Sequence, residues 1–320
     1  MVSSAGAGVS LGLVLPPFDQ PSRLYAAAQM AENHNFHSVW ATDATLPGYP
    51  WLDGLSVIGG VVAVTKTVQV GTSIFVAARR NPVLLAHALA SLDYLSGGRF
   101  IFGVGVAERE LRPQEFAIAQ VPMERRGRIT DEYLGLLPRL WTESSVTHGG
   151  DFFQCESVTI EPKPVREGGI PMWVGGRAEE SIRRAARVGA AWMPALITPG
   201  DFQAGWANLQ EYSAREGRTP GSIRGAVYLF ASIGSSYEAA RSTLAPAIEA
   251  IFHAPFEAFE GLCLVGTPDD WLEQIARFAH AGVRHVNFLL YTNDLLGDVQ
   301  QIGDEVAPRL RRFEISELVS

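Results

Sequence analysis

Short apolar runs alternate along this chain with longer stretches whose apolar residues recur at helical spacing. Val9 to Leu15 is one such run, closed by Pro16-Pro17. From Ser22 to His34 the positions Leu24, Ala27, Ala28 and Ala31 repeat on one helical face. The alternation continues with strands expected over Ser38–Thr42, Val68–Ala77 and Arg99–Val106, the second of them rich in β-branched residues. Between them helices are expected over Leu52–Val64 and from Asn81-Pro82, a cap followed by a first-turn proline, to Ser96-Gly97-Gly98. Further on, strands over Pro171–Val174, Ala191–Ala195, Arg224–Ile233 and Val283–Leu290 alternate with helices over Ala178–Val188, Asp201–Arg215, Ser236–Phe252, Pro268–Ala281 and Asp294–Arg312. A longer excursion separates the fourth and fifth strands. It holds a helix over Met123–Trp141 and then Val146-Thr147 and Phe152–Glu161, joined through Gly149-Gly150, as a hairpin or arm.

Apolar strands joined by helical crossovers form a parallel sheet buried on both faces. Eight such units favour closure, so the expected fold is an α/β (β/α)8 TIM barrel. It would occupy residues 1–320 as a single domain, with the inserted arm (142–166) between strands four and five.

Composition adds limits. The chain is 47% hydrophobic and 19% charged, which suits a large buried core. A net charge of −8 argues against a protein built to coat nucleic acid. The first apolar run is too short to span a bilayer and no basic residue precedes it, so a soluble cytoplasmic protein is expected. Cys155 and Cys263 match no metal-ligand spacing, and none of the seven histidines pairs at such a spacing, so no metal is expected. No nucleophile elbow is present, and Gly103-Val104-Gly105 lacks the third glycine and following helix of a dinucleotide fingerprint.

In a barrel, chemistry gathers where strands end. The clearest such point is Val174-Gly175-Gly176-Arg177 before the helix at Ala178. Two glycines permit a tight turn, and the helix start offers free N–H groups, which together make a seat for an anion.

An ordered series of segments carries a family resemblance: Leu92-Asp93-Tyr94-Leu95-Ser96-Gly97-Gly98-Arg99-Phe100, Gly103-Val104-Gly105, Arg126-Gly127-Arg128-Ile129-Thr130-Asp131-Glu132, Glu161-Pro162-Lys163-Pro164-Val165, Pro171 to Gly176, Arg184 to Trp192, and Gly266-Thr267-Pro268. In these the chain resembles the luciferase-like monooxygenase family, especially its F420-dependent branch. The resemblance implies a (β/α)8 barrel, a homodimer, and reduced FMN or F420 as cofactor. It implies that the phosphate lies on Gly175 and Gly176, and that a cis peptide at Ser73–Ile74 backs the cofactor ring. It also implies that Asp43 approaches the deazaflavin and that Glu108, after Gly105, assists proton transfer. Two departures stand out. Ala44 replaces a histidine tied to proton removal in the branch's dehydrogenases, and Ala107 stands where glycine is usual.

An F420 tail carries a phosphate and several carboxylates and needs a track of cations, whereas FMN needs one phosphate seat. Arg79, Arg80, Arg112, Arg125, Arg126 and Arg177 all follow strand ends, which favours F420. Trp51, after Tyr49-Pro50, is a candidate wall of the substrate pocket, whereas His34, His37 and His285 are expected to bond locally. The expected function is an F420-dependent oxidoreductase moving a hydride to or from a small organic substrate. The alternatives are an FMN-dependent monooxygenase and a flavin-binding protein without turnover.

Overall fold

The structure, a computed structural model, describes residues 8–107 and 113–311. Its elements in chain order are β1 (Ser10–Val14), α1 (Pro21–Asn33), β2 (Ser38–Ala41), α2 (Gly54–Val64), β3 (Gln69–Thr72), α3 (Pro82–Leu95), β4 (Phe100–Val104), α4 (Pro113–Ile118), α5 (Arg126–Thr142), β5 (Val146–Gly149), β6 (Gln154–Val158), β7 (Met172–Gly175), α6 (Glu179–Val188), β8 (Ala191–Met193), α7 (Pro199–Arg215), β9 (Arg224–Ile233), α8 (Tyr237–Phe252), β10 (Cys263–Gly266), α9 (Pro268–His280), β11 (His285–Leu290), α10 (Leu295–Gln301) and α11 (Ala307–Arg311).

Strands β1, β2, β3, β4, β7, β8, β9 and β11 pair in parallel, and the β8–β9 pairing closes the ring. This is the (β/α)8 barrel expected from the alternation. Four details differ. β10 is an extra short strand paired with the end of β9, Cys263 to Gly266 against Phe230 to Ile233. α4 is a short helix in the excursion, ahead of the one expected from Met123. The arm exists as the antiparallel pair β5–β6, but Gly149 belongs to β5, so the turn falls one residue later than expected. β3 ends at Thr72, five residues early, because the chain bulges there and turns into a short 3-10 segment at Ala77–Arg79.

The period of two along each strand sorts side chains into two cores. Val39, Val70, Phe102, Val104, Val174 and Trp192 face outward and pack against the helices. Val14, Trp40, Ile101, Trp173, Met193, Ala226 and Leu289 fill the barrel interior. Most α/β barrels fill that space with aliphatic layers. Here the tryptophan rings of Trp40 and Trp173 stand 5.0 Å apart inside it, and Gly12 leaves them room: a Cβ there would lie 2.6 Å from Trp40 Nε1 and 2.1 Å from Asn287 Oδ1.

Local chemistry fixes the element starts. Asn81 caps α3 by accepting from the N–H groups of Val83 and Leu84. Thr267 and Asp270 form a reciprocal capping box on α9. Glu32 fastens the end of α1 to the lead-in of β3 by accepting from the N–H groups of Lys66 (2.8 Å), Thr67 (2.5 Å) and Val68 (3.0 Å). Burial opposes the Glu32 charge, but these donors outweigh it and lower the carboxyl from 4.5 to about 2. The folded value lies below the unfolded one, so its stabilisation is complete above 4.5 and is lost as pH falls through about 2. Glu32→Gln is therefore expected to lower stability at neutral pH by ~1–2 kcal/mol. Melting curves of the two proteins should converge near pH 2, and a gap that persists there would refute the linkage.

Both cysteines are free, and burial pushes the Cys263 thiol up to about 12. Among the described residues no helix is long and apolar enough to cross a membrane.

Candidate active site

Beyond Thr72 the next peptide bond, Ser73–Ile74, is cis, the geometry that the resemblance implied. Pairing resumes at once: the Phe75 N–H donates to the Gly103 carbonyl (2.8 Å) and the Gly105 N–H to the Phe75 carbonyl (3.0 Å). Ile74 is left half-buried at the C-terminal end of the barrel, while Ser73 and Phe75 on either side are buried. Two glycines admit its side chain. A Cβ on Gly105 would lie 2.7 Å from Ile74 Cδ1, and one on Gly175 would lie 2.8 Å from Ile74 Cγ2. Three predicted site residues, Ile74, Gly105 and Gly175, thus meet in a small apolar platform at the ends of three strands, with Ser73 next to it in the chain.

Next to it, Gly176 is exposed and has φ +104°, a conformation that side-chain-bearing residues rarely adopt. A Cβ there would also meet Ser181 Oγ at 2.5 Å. The Gly176 carbonyl accepts from Trp192 Nε1 (2.9 Å), which fixes the turn. Val174 packs its side chain into the outer helical layer, so a ligand at the mouth meets only its main chain. Arg177 is exposed and donates to the Leu196 carbonyl (2.6 Å).

Asp43 is placed differently from the expectation of a carboxylate facing a ring. Only 1% of its side chain is exposed. It accepts from the Val76 N–H (3.0 Å), from Arg79 Nη2 (2.5 Å) and from Arg80 Nη2 (3.1 Å). Arg79 also pairs with Glu115, whose Oε1 accepts from the N–H groups of Thr45 (2.9 Å) and Leu46 (2.8 Å). Burial lowers the affinity of Arg79 for its proton, and Asp43 works to restore it. The guanidinium of Arg80 lies over the Phe75 ring at 4.1 Å. This buried, charge-balanced cluster ties the loops after β2 and β3 to α4. Arg79 is committed to it and is not part of an open cation track. Of the other track residues, Arg125 is exposed and Arg112 lies outside the described residues.

Arg126 bonds the carbonyls of Ala107 (3.3 Å) and Met123 (3.0 Å), so it ties the start of α5 to the loop after β4. Ala107 has φ +61°, which explains physically why glycine is the easier residue at that point. Glu108 lies outside the described residues.

The walls of the mouth are aromatic. Phe18 and Tyr49, from the loops after β1 and β2, are more than half exposed. Trp51 is half-buried with its ring 5.7 Å from that of Tyr49. On the other side Tyr228 and Phe230 of β9, Tyr291, Phe252 and Phe259 form a continuous ring-to-ring cluster, with centroid separations of 4.8 to 6.1 Å. Burial pushes the Tyr228 and Tyr291 phenols up. Sequence reasoning missed Tyr228, Phe230 and Tyr291. The alternation Ala226, Tyr228, Phe230 on β9 was the available signal, since it puts these side chains on the inward face.

His285 also departs from expectation. It is fully buried inside the barrel and reaches Ser10 and Ser38, some 275 and 247 positions away, as well as the nearby Asn287.

Comparison with known proteins agrees with the barrel fold. Residues 3–285 match the family model described as luciferase-like monooxygenase. The F420-dependent glucose-6-phosphate dehydrogenase of Nakamurella multipartita is 26% identical over 91% of this chain and 93% of its own. A solved F420-dependent secondary alcohol dehydrogenase, in complex with an F420–acetone adduct, superposes with a TM-score of 0.85 at 21% identity, covering 95% of this chain and 99% of its own. A monooxygenase from Streptomyces bottropensis superposes with a TM-score of 0.82 at 21% identity, covering 94% and 99%. On the family model's match across most of its length, the chain belongs to the luciferase-like monooxygenase family.

Proposed function

We propose that this protein is an F420-dependent oxidoreductase that moves a hydride between the deazaflavin and a small, weakly polar organic substrate. The observation that carries the reading is Ile74, seated half-exposed between Gly105 and Gly175 beside the exposed turn at Gly176. An apolar platform next to a glycine turn fits a flat ring with an anionic arm. The preference for F420 over FMN rests on the relative named as F420-dependent, which aligns with nearly the whole chain.

In this reading Ser73 and Ile74 back the ring, and Gly105 and Gly175 keep it close to the barrel. Gly176, with the main chain of Val174 and with Arg177, holds the phosphate. Arg126 steadies the loop after β4, and Trp51 belongs to the substrate wall. Asp43 acts by holding Arg79 and Arg80 at the mouth, and Glu108 is assigned the proton transfer. When bound, the deazaflavin supplies the hydride chemistry, while the chain supplies orientation and exclusion of water. Ala44 in place of histidine leaves no acid or base at that point, so the protonation steps of the branch's dehydrogenases do not carry over to it.

Titration of the purified protein with each cofactor, followed by fluorescence quenching, tests the reading. F420 is expected to bind more tightly than FMN. The reverse order, with oxygen uptake in the presence of FMN and a flavin reductase, would favour a monooxygenase on the same barrel.

A homodimer is part of the same proposal. Leu84, Tyr94 and Leu95 on α3, with Val165, are large apolar side chains left exposed by 52% or more. Sedimentation equilibrium should give twice the chain mass. A monomer at micromolar concentration would remove this part.

A further inference from the structure

A single hydrogen-bonded series runs through the barrel interior and ends at Ser73. Arg224, at the start of β9, donates from Nη2 to Ser10 Oγ (3.1 Å). Ser10 Oγ lies 2.7 Å from His285 Nδ1, and His285 Nε2 lies 2.6 Å from Asn287 Oδ1. Asn287 Nδ2 then reaches Met193 Sδ (3.0 Å) and Ser73 Oγ (3.4 Å). Ser38, His285 and Asn287 are fully buried, and Ser73 is 4% exposed.

The direction of every bond follows from what each atom can do. A thioether sulfur only accepts, so the Asn287 amide turns its NH2 toward Met193 and Ser73 and its oxygen toward His285. That oxygen only accepts, so His285 carries its hydrogen on Nε2. Ser38 Oγ, which accepts from Trp40 Nε1 (2.7 Å), lies 3.3 Å from the same nitrogen. Burial and the nearby His37 and Arg224 hold the His285 ring neutral. Its Nδ1 is therefore an acceptor, and the Ser10 hydroxyl, which has the Arg284 carbonyl as its other acceptor at 3.1 Å, donates into the closer ring nitrogen at 2.7 Å. All donors thus point from the base of the barrel toward the mouth. At the end of the series the Ser73 oxygen is already an acceptor. Among the described residues, its own hydrogen has only Met193 Sδ at 3.9 Å, a long contact to a weak acceptor.

We infer that His285 and Asn287 are positioning residues that set the Ser73 hydroxyl as a hydrogen-bond donor to an acceptor atom on the edge of the ring bound at the mouth. The inference rests on the ring-binding reading above. Polar groups inside a barrel are tolerated when each is satisfied, and a directed series leaves one donor over at its end. That spare donor sits beside the Ile74 platform.

The test has two independent readouts. In the ligand-free protein, 15N-resolved imidazole NMR should place the His285 hydrogen on Nε2. F420 affinity is then compared in the native protein, Ser73→Ala, Asn287→Leu and the double variant, with melting curves confirming that each folds. Ser73→Ala should weaken binding about tenfold, the worth of one hydrogen bond. Asn287→Leu should weaken it by about threefold, and the double variant should be no weaker than Ser73→Ala, because Asn287 acts through that hydroxyl. Asn287→Ser stands in should the leucine variant fail to fold, with the same non-additive outcome expected. Additive losses, unchanged affinity in Ser73→Ala, or the hydrogen on Nδ1 would overturn the inference while leaving F420 binding intact. A native protein that binds no F420 would overturn the functional reading and this inference together.

Discussion

Arg79→Met is expected to destabilise the fold by about 3–5 kcal/mol, among the largest effects of any single substitution outside the hydrophobic core. Arg79 stands between the carboxylates of Asp43 and Glu115, and no more than 4% of any of the three side chains is exposed. Methionine matches the stem in length but leaves two buried negative charges facing each other. Arg80, at 3.1 Å, still partners Asp43, so the loss falls toward the lower end of the range. Because the cluster ties the β2 and β3 loops to α4, F420 affinity should fall with stability. Equilibrium denaturation decides the matter. A loss below ~1 kcal/mol would mean that water reaches the cluster and that it behaves like a surface pair.

Gly176→Asp should abolish measurable cofactor binding. Two effects act together, and a companion variant separates them. At φ +104°, any side chain strains the turn, and its Cβ would press on Ser181 at 2.5 Å. Gly176→Ala has that strain and that contact but no charge. Aspartate adds a negative group where the phosphate arm is proposed to sit, and like-charge juxtaposition at a binding site costs several kcal/mol. The alanine variant is expected to lose about tenfold in affinity and the aspartate variant at least a further hundredfold. Equal losses in the two would show that turn shape alone matters. Unchanged affinity in both would place the anion elsewhere.

The barrel was readable because each βα unit carries its own signal: an apolar run, a turn, then a helical stripe. β10 was not, since four residues that follow a 3-10 turn and end on Gly266 leave no period to detect. The platform was half readable. Spacing marked Gly175-Gly176, but only the resemblance pointed to Ser73–Ile74, because a bulge has no local sequence signature. The fate of Asp43 was hidden for a different reason. Its partners Arg79 and Arg80 were visible as mouth residues, yet whether they face a ligand or a neighbouring carboxylate depends on how three loops meet. The series through Ser10, His285, Asn287 and Ser73 was the least accessible, since it joins residues from opposite ends of the chain that only closure of the barrel brings into register.

Gly12 shows how far such closure reaches into descent. With no room for a single methyl between Asn287 and Trp40, a relative that carries alanine at the equivalent place should also carry a smaller residue in place of that indole or amide. Lineages are thus expected to exchange these three positions together, and a tree in which the glycine changes alone would mean that the first strand can shift outward to absorb it.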